Sequence, residues 1–163
     1  MTVPSIRAAQ TRDIHHLVDI DLKSYAYPWS VDEWRKLADD PTCIILIAAF
    51  KIAPVAVCVW KKKPAVKEGE ILRLATKKKH RNLGAGSFLL KATEKGAKDY
   101  ELDKVTIVVP EINCFPGHAD DVSRWLLKRE FRAMPPILKN RFYMYGQRCD
   151  GFKFEKIIGG NHA

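Results

Sequence analysis

Arg81, Asn82, Gly84, Ala85, Gly86 and Ser87 bring a cation, two glycines and a hydroxyl together within one short run. Before the run, Leu72, Leu74 and Thr76 alternate with Arg73 and Ala75, which predicts a half-buried strand. After it, Phe88, Leu89 and Ala92 predict one side of an amphipathic helix. A glycine turn feeding a helix leaves the first backbone N–H groups unpaired at the positive end of the helix dipole. Such an end takes anions, phosphate above all. Lys77, Lys78, Lys79 and His80 add positive charge beside it. There is neither a Gly-x-Gly-x-x-Gly pattern nor a Lys-Ser or Lys-Thr after the glycines, so a nucleoside triphosphate is a poor fit. The competing reading is a solvated lysine turn capped by glycines.

Other residues that could do chemistry are sparser. Cys43, Cys58, Cys114 and Cys149 are widely spaced and form no Cys-x-x-Cys, which argues against a zinc site or a disulfide framework. No metal is expected. Cys43 and Cys58 fall in apolar runs, as packed thiols do. Cys114 is near the proposed anion site and stays open as a nucleophile. Tyr25, Tyr27 and Trp29 flank Pro28. They could line a groove, or staple the helix that follows.

The whole chain sets the bounds. Its 163 residues predict one domain over 1–163, with 47% hydrophobic and 29% charged residues, which excludes disorder. The net charge of +9 suits an anionic ligand, an acidic protein surface or RNA. The N-terminus carries no apolar signal segment, and no run is long enough to span a membrane. A cytoplasmic location without membrane attachment is the expectation.

The elements that must position the anion site read as follows. Residues 5–9 suit a first strand, and Thr11 can cap a helix carrying Ile14, Leu17, Val18, Asp21 and Leu22. Pro28 breaks the chain, and Ser30 with Glu33 forms a capping box that opens a helix with Trp34 and Leu37 inward. The apolar runs 43–50 and 54–60 make an antiparallel hairpin, and 61–69 is a charged loop with Lys61, Lys62 and Lys63 solvated. Residues 86–100 are helix, 104–109 a buried strand ended by Pro110, and 111–120 a loop. Residues 122–130 suit a helix with Trp125, Leu126 and Leu127. Residues 131–138 suit a strand interrupted by Pro135 and Pro136; 141–145 alternates, and 152–157 has a period of two. The result is a mixed α/β sheet with one central parallel crossover.

The order Arg81-x-x-Gly84-x-Gly86, after a strand and at a helix start, resembles the pyrophosphate loop of the GNAT superfamily of acetyl-CoA-dependent N-acetyltransferases. The element order resembles the GNAT fold along nearly the whole chain, a mostly antiparallel sheet with splayed fourth and fifth strands. Three stretches resemble bacterial ribosomal-protein N-terminal alanine acetyltransferases: Tyr27-Pro28-Trp29-Ser30, Pro110-Glu111-Ile112-Asn113, and Arg141-Phe142-Tyr143 with Asp150-Gly151. The resemblance implies direct acetyl transfer from acetyl-CoA to a primary amine, foremost a protein N-terminal α-amine. Leu74, Ala75 and Thr76 would hold the pantetheine and polarise the thioester. Arg81, Asn82, Gly84, Ala85, Gly86 and Ser87 would surround the pyrophosphate, and Asn113 would bond the pantetheine arm. Tyr27, Trp29 and Tyr143 would contact the acceptor.

The proton-transfer groups depart from that pattern. The acidic residue of the fifth strand falls at Val108, the tyrosine of the last helix at Leu126, and the glycine after it at Glu130. Substitutes are Glu111 just past the fifth strand, Glu70 at the start of the fourth, Tyr143 or Tyr145, and His118 in the inserted loop. Each has a bland alternative: a salt bridge for Glu70, core packing for the tyrosines, a surface position for His118. Two other functions stay open, a basic acetyltransferase acting on aminoacyl-tRNA and a catalytically degenerate binding module.

Overall fold

The computed structural model describes residues 2–25, 27–114 and 121–159. Seven strands form one sheet: β1 (Ser5–Ala8), β2 (Cys43–Phe50), β3 (Ala53–Lys63), β4 (Glu68–Thr76), β5 (Lys104–Pro110), β6 (Arg132–Met144) and β7 (Gln147–Ile157). Their spatial order is β1-β2-β3-β4-β5-β7-β6, with β4 and β5 parallel and every other pair antiparallel. Helices α1 (Ile14–Leu22) and α2 (Val31–Asp39) cover one face, and α3 (Ala85–Asp99) and α4 (Val122–Leu127) cover the other. The expected mixed sheet with one parallel β4-α3-β5 crossover is what forms.

Each helix leaves a core against the sheet. Leu17, Ile20 and Trp34 pack on Ile45, Ile47, Val57 and Val59, while Leu89, Leu90, Leu126 and Phe131 pack on Cys58, Trp60, Val105 and Val109. β3 is buried on both faces because both helix layers lie over it, which is why its sequence is continuously apolar.

The sheet opens in its middle. β4 and β5 pair from Glu68 with Lys104 to Ile71 with Ile107, and the pairing stops there. β3 continues to hold β4 out to Thr76, and β7 holds β5 out to Pro110. The two parallel strands therefore diverge, each kept straight by its outer neighbour. A bulge lies at the divergence: Val59 faces Arg73 and Trp60 faces Ile71, so Leu72 is an extra residue. Beyond the bulge Arg73 and Ala75 are the more buried set, and Leu74 packs toward α3. The alternation seen in the sequence is real, but both of its faces are covered.

The bulge aims Arg73 into the α1 side. Its Nη1 donates to Asp21 Oδ1 at 2.5 Å, and Asp21 Oδ2 accepts from the Trp29 N–H at 2.7 Å. Asp21 is wholly buried and the Arg73 side chain is 9% exposed. The guanidinium lies 3.8 Å from the centre of the Trp29 ring and 4.1 Å from that of Tyr25. One ion pair thus fastens the segment between α1 and α2 to β4.

Several local expectations change. Lys61, Lys62 and Lys63 belong to β3 rather than a loop, because they pair with Glu70, Gly69 and Glu68, and the two glutamates supply carboxylates to Lys63. Thr11 does not cap α1; Asp13 does the local work, accepting from the Gln10 N–H at 2.7 Å and from both terminal nitrogens of Arg7. Leu22 is exposed. The Ser30 capping box forms as expected, with Glu33 N–H on Ser30 Oγ at 3.2 Å and Ser30 N–H on Glu33 Oε2 at 2.7 Å. Residues 132–144 make one long strand through Pro135 and Pro136, which an edge strand tolerates. α4 ends at Leu127, and Glu130 stands at φ 68°.

Asp21→Ala leaves a buried guanidinium unpaired and is expected to cost about 3–5 kcal/mol. Pairing it with Arg73→Met should recover most of that loss, read as the midpoint of urea unfolding. Asp13 supplies a separate pH dependence. Its hydrogen bonds with Arg7 hold the carboxyl well below the usual carboxylate range, against its burial. A lowered folded value stabilises the fold above the unfolded value of about 3.9, and the gain is lost as pH falls toward the folded value. Asp13→Asn should therefore be less stable than the parent at neutral pH and lose less on acidification, measured by thermal melting across pH.

Candidate functional site

The divergence of β4 and β5 opens into a cleft of about 770 Å³. Its walls are the end of β4, the turn into α3, α4 and the β6–β7 turn. Leu74, Ala75 and Thr76 line it from β4, Arg81, Asn82, Gly84, Ala85, Gly86 and Ser87 from the turn, and Asn113 from the segment after β5. Every residue that the sequence comparison assigned to acetyl-CoA is thus brought to one cavity.

The backbone of β4 is oriented for this. Lys77 N–H donates to the Val55 carbonyl at 2.9 Å. Bonding positions alternate along an antiparallel pair, so Arg73 and Ala75 present their peptide groups to β3. Leu74 and Thr76 present theirs to the gap, where no strand among the described residues meets them. The Thr76 carbonyl accepts from Arg81 Nε at 3.2 Å, and the Leu74 carbonyl from the Tyr25 hydroxyl at 3.3 Å.

The turn delivers the helix end. Gly84 is the N-cap of α3 at φ 90°, a conformation that a side chain would strain. It offers no capping side chain, so the first N–H groups of the helix are left to the cleft. Gly86 lies in the first turn, where a Cβ would sit 3.7 Å from the Trp125 ring and 3.8 Å from Thr76 Oγ1.

Arg129 was missed. Its guanidinium stacks 4.1 Å over the Trp125 ring, donates to the Trp125 carbonyl at 3.0 Å and donates to Ser87 Oγ at 2.5 Å. That fixes a half-buried cation at the N-terminus of α3. The four-residue spacing from Trp125 was the available signal, since it places both on one helical side. The lysine run, by contrast, divides: Lys78 and His80 line the cleft, while Lys77 is paired with Asp19 at 2.8 Å.

The acid–base candidates are dispersed. Glu70 lies on the paired part of β4, bonded to Lys63 and away from the cleft. Glu111 begins the 3-10 turn Glu111–Cys114 directly after β5 and is half-buried, outside the cleft lining. Tyr143 is 51% exposed and meets Tyr27 edge-on, ring centres 5.5 Å apart, so the α1–α2 segment touches the β6–β7 hairpin. Trp29 stacks on Arg73 and meets Trp34 edge-on, 5.1 Å between ring centres, which makes it an anchor of its own loop. Tyr145 and Tyr25 line the cleft, Tyr25 unforeseen in that place. His118 lies outside the described residues. The Cys114 thiol is pushed up to about 11 by burial and by the charges of Asp121 and Glu111, so it is not a thiolate near neutrality. Leu126 is fully buried and Val108 packs beside Gly151; neither position offers a titratable group.

Among the described residues, no group of three or more His, Cys, Asp or Glu side chains could hold a metal, and no helix is long and apolar enough to cross a membrane.

The profile of the acetyltransferase (GNAT) family matches residues 14–115, which contain the diverging strands, the glycine turn and α3. A search of curated proteins finds no match. The ribosomal-protein-S18-alanine N-acetyltransferase of Escherichia coli superposes with a TM-score of 0.82 at 15% identity, over 99% of this chain and 99% of that one. NAA60 of Arabidopsis thaliana, solved with a bisubstrate analogue, gives 0.80 at 14% identity over 98% and 100%. The ribosomal-protein-alanine N-acetyltransferase of Brucella melitensis gives 0.74 at 16% over 94% and 99%. These likenesses are of fold. With more than half of the chain matched by the family profile, and the loop that carries the resemblance inside the match, this protein is a GNAT-family acetyltransferase.

Proposed function

We propose that the protein transfers the acetyl group of acetyl-CoA to a primary amine, foremost the N-terminal α-amine of a protein. The observation that carries this is the cleft itself. An interrupted parallel pair leads, through outward-facing peptide groups, to a helix N-terminus with a fixed guanidinium. Acetyl-CoA has the matching parts in the matching order: a thioester, an amide-bearing arm and a pyrophosphate. Its fit is chemical as well as spatial. The gap-facing groups of Leu74 and Thr76 suit the amides, and the α3 N-terminus with Arg129 suits the phosphates.

When bound, acetyl-CoA would supply an activated acyl group. The chain's own residues would then hold the arm with Leu74, Thr76 and Asn113, and hold the phosphates with the 84–87 turn and Arg129. The acceptor would enter beside Tyr27 and Tyr143, where two loops meet. Its nitrogen must be neutral to attack. Glu70 is engaged with Lys63, which leaves Glu111 at the end of β5 as the acceptor-side base. The relatives that share the fold and are named for protein amines support that acceptor class. The open cleft speaks against a binding module whose cofactor site has been filled in. Only the net charge of +9 favours an RNA acceptor.

Acetyl-CoA at a hundred times its Kd should stabilise the fold by about 2.7 kcal/mol, seen as a raised melting midpoint. Gly86→Glu tests the place. A carboxylate in the first turn favours the helix but repels phosphate, so the variant should fold normally and show no such rise. A rise equal to the parent's would remove the cofactor from this turn. Turnover with a panel of short peptides, each with its α-amine free or blocked, then tests the acceptor; acetylation of the blocked set alone would overturn the N-terminal reading.

Arg129→Gln should weaken acetyl-CoA binding about 10- to 100-fold, the range for one lost hydrogen bond to a charged group. Calorimetry would measure it, with the ligand-free melting midpoint as the control. An unchanged Kd would return Arg129 to a purely structural role.

A further inference from the structure

Amide formation from a thioester makes a C–N bond and breaks a C–S bond, and the electron pair left on sulfur must take a proton. The position that could donate it in the family pattern is Leu126, fully buried in the core. Asp121 cannot serve: it caps α4, accepting from Arg124 N–H and Ser123 Oγ, and those bonds hold its carboxyl below the ordinary value, ionised at neutral pH. The Cys114 thiol and Tyr143 do not line the cleft, and Tyr145 lines it from an exposed turn.

His80 lines the cleft from the 78–80 turn at the α3 end, and the aliphatic hydroxyls of Ser24, Thr76 and Ser87 that also line it are far weaker acids than a phenol. The Tyr25 phenol lies among them. Tyr25 Oη donates to the Leu74 carbonyl at 3.3 Å, on the face of β4 that looks into the gap. The ring that carries it is clamped. Arg73 stacks on it at 4.1 Å, and Arg73 is in turn fixed by Asp21 and backed by Trp29. Tyr25 reaches β4 from the α1–α2 segment, an element different from the one that carries Leu126. Resting on the acetyl-CoA reading above, we infer that Tyr25 is the proton donor to the departing thiolate.

The site keeps the donor protonated and partly offsets the cost of its phenolate. Burial raises the phenol above its ordinary value, so the proton is present at neutral pH. Once the proton has left, the phenolate is faced by the Arg73 guanidinium over its ring, which opposes the burial. The balance closes. Nitrogen bonds to the acyl carbon, the C–S pair goes to sulfur, and the Tyr25 proton goes to that pair. The proton shed by nitrogen passes to Glu111 and from it to water, and water reprotonates Tyr25.

The test separates this from the broader reading because it needs no acceptor. The full chain is prepared with ¹³Cζ-labelled tyrosine, and Tyr25→Phe assigns the Tyr25 resonance. Coenzyme A and its desulfo analogue are added in turn, with the melting midpoint followed in parallel. Both ligands should raise the midpoint, and only coenzyme A should move the Tyr25 resonance. Equal movement with both, or none with either while the midpoint rises, would show that the hydroxyl does not face sulfur and would end the inference. No rise in the midpoint for coenzyme A would overturn the acetyl-CoA reading, and the inference with it. Kinetics give the second readout, with hydroxylamine as acceptor. Tyr25→Phe should lower kcat about 100-fold or more, the usual contribution of a general acid, with acetyl-CoA affinity unchanged. An acetyl thioester with a more acidic leaving thiol should narrow that gap, because a stable thiolate needs no donor. A variant that loses affinity but keeps kcat would reduce Tyr25 to a binding contact.

Discussion

A parallel strand pair that stops pairing halfway leaves peptide groups that must find partners elsewhere. In this protein the pair is β4 and β5, and the groups are those of Leu74 and Thr76. The remaining architecture follows from meeting that requirement without closing the gap. β3 and β7 hold the diverging strands apart from outside. Arg81 and Tyr25 reach in to satisfy the two carbonyls. The helix that connects the strands starts at the mouth of the gap, so its own unpaired donors lie beside those of the strand.

The buried ion pair gives the gap a fixed wall. An Arg in a strand with helices on both sides is costly unless paired and hydrogen-bonded. The bulge at Leu72 resolves this by turning Arg73 toward Asp21, and two aromatic rings complete its surroundings. The same contacts position Tyr25 and Trp29, so a charge buried for local reasons sets the shape of the α1 side of the cleft. A helix cap makes the segment rigid from the other direction, through Ser30 and Glu33.

How far the sequence disclosed this depends on the range of each cause. The glycine turn was legible because Gly84 and Gly86 act locally: one allows a left-handed N-cap, the other a low wall beside Trp125. The Ser30 cap was legible for the same reason. Lys61, Lys62 and Lys63 were misplaced because their strand depends on carboxylates several residues further on. Pro135 and Pro136 suggested a break that an edge position does not require. Glu130 looked like a departure from a glycine, yet the backbone there keeps φ at 68°. Arg129 and Tyr25 reach the cleft through contacts 42 and 49 residues away along the chain, which no spacing rule records.

The long outer strand β6 carries a consequence for the molecule in a crowded solution. An unpaired strand edge is a template on which another chain can add. β6 runs for 13 residues at the rim of the sheet, with β7 its one partner among the described residues. Pro135 and Pro136 remove two donors from it, its pairing with β7 slips between Met134 and Leu138, and Arg132, Lys139 and Arg141 spread positive charge along it. The irregular strand is therefore a poor nucleus for strand addition, and a protein with a long open sheet edge is guarded against edge-to-edge aggregation by its own sequence.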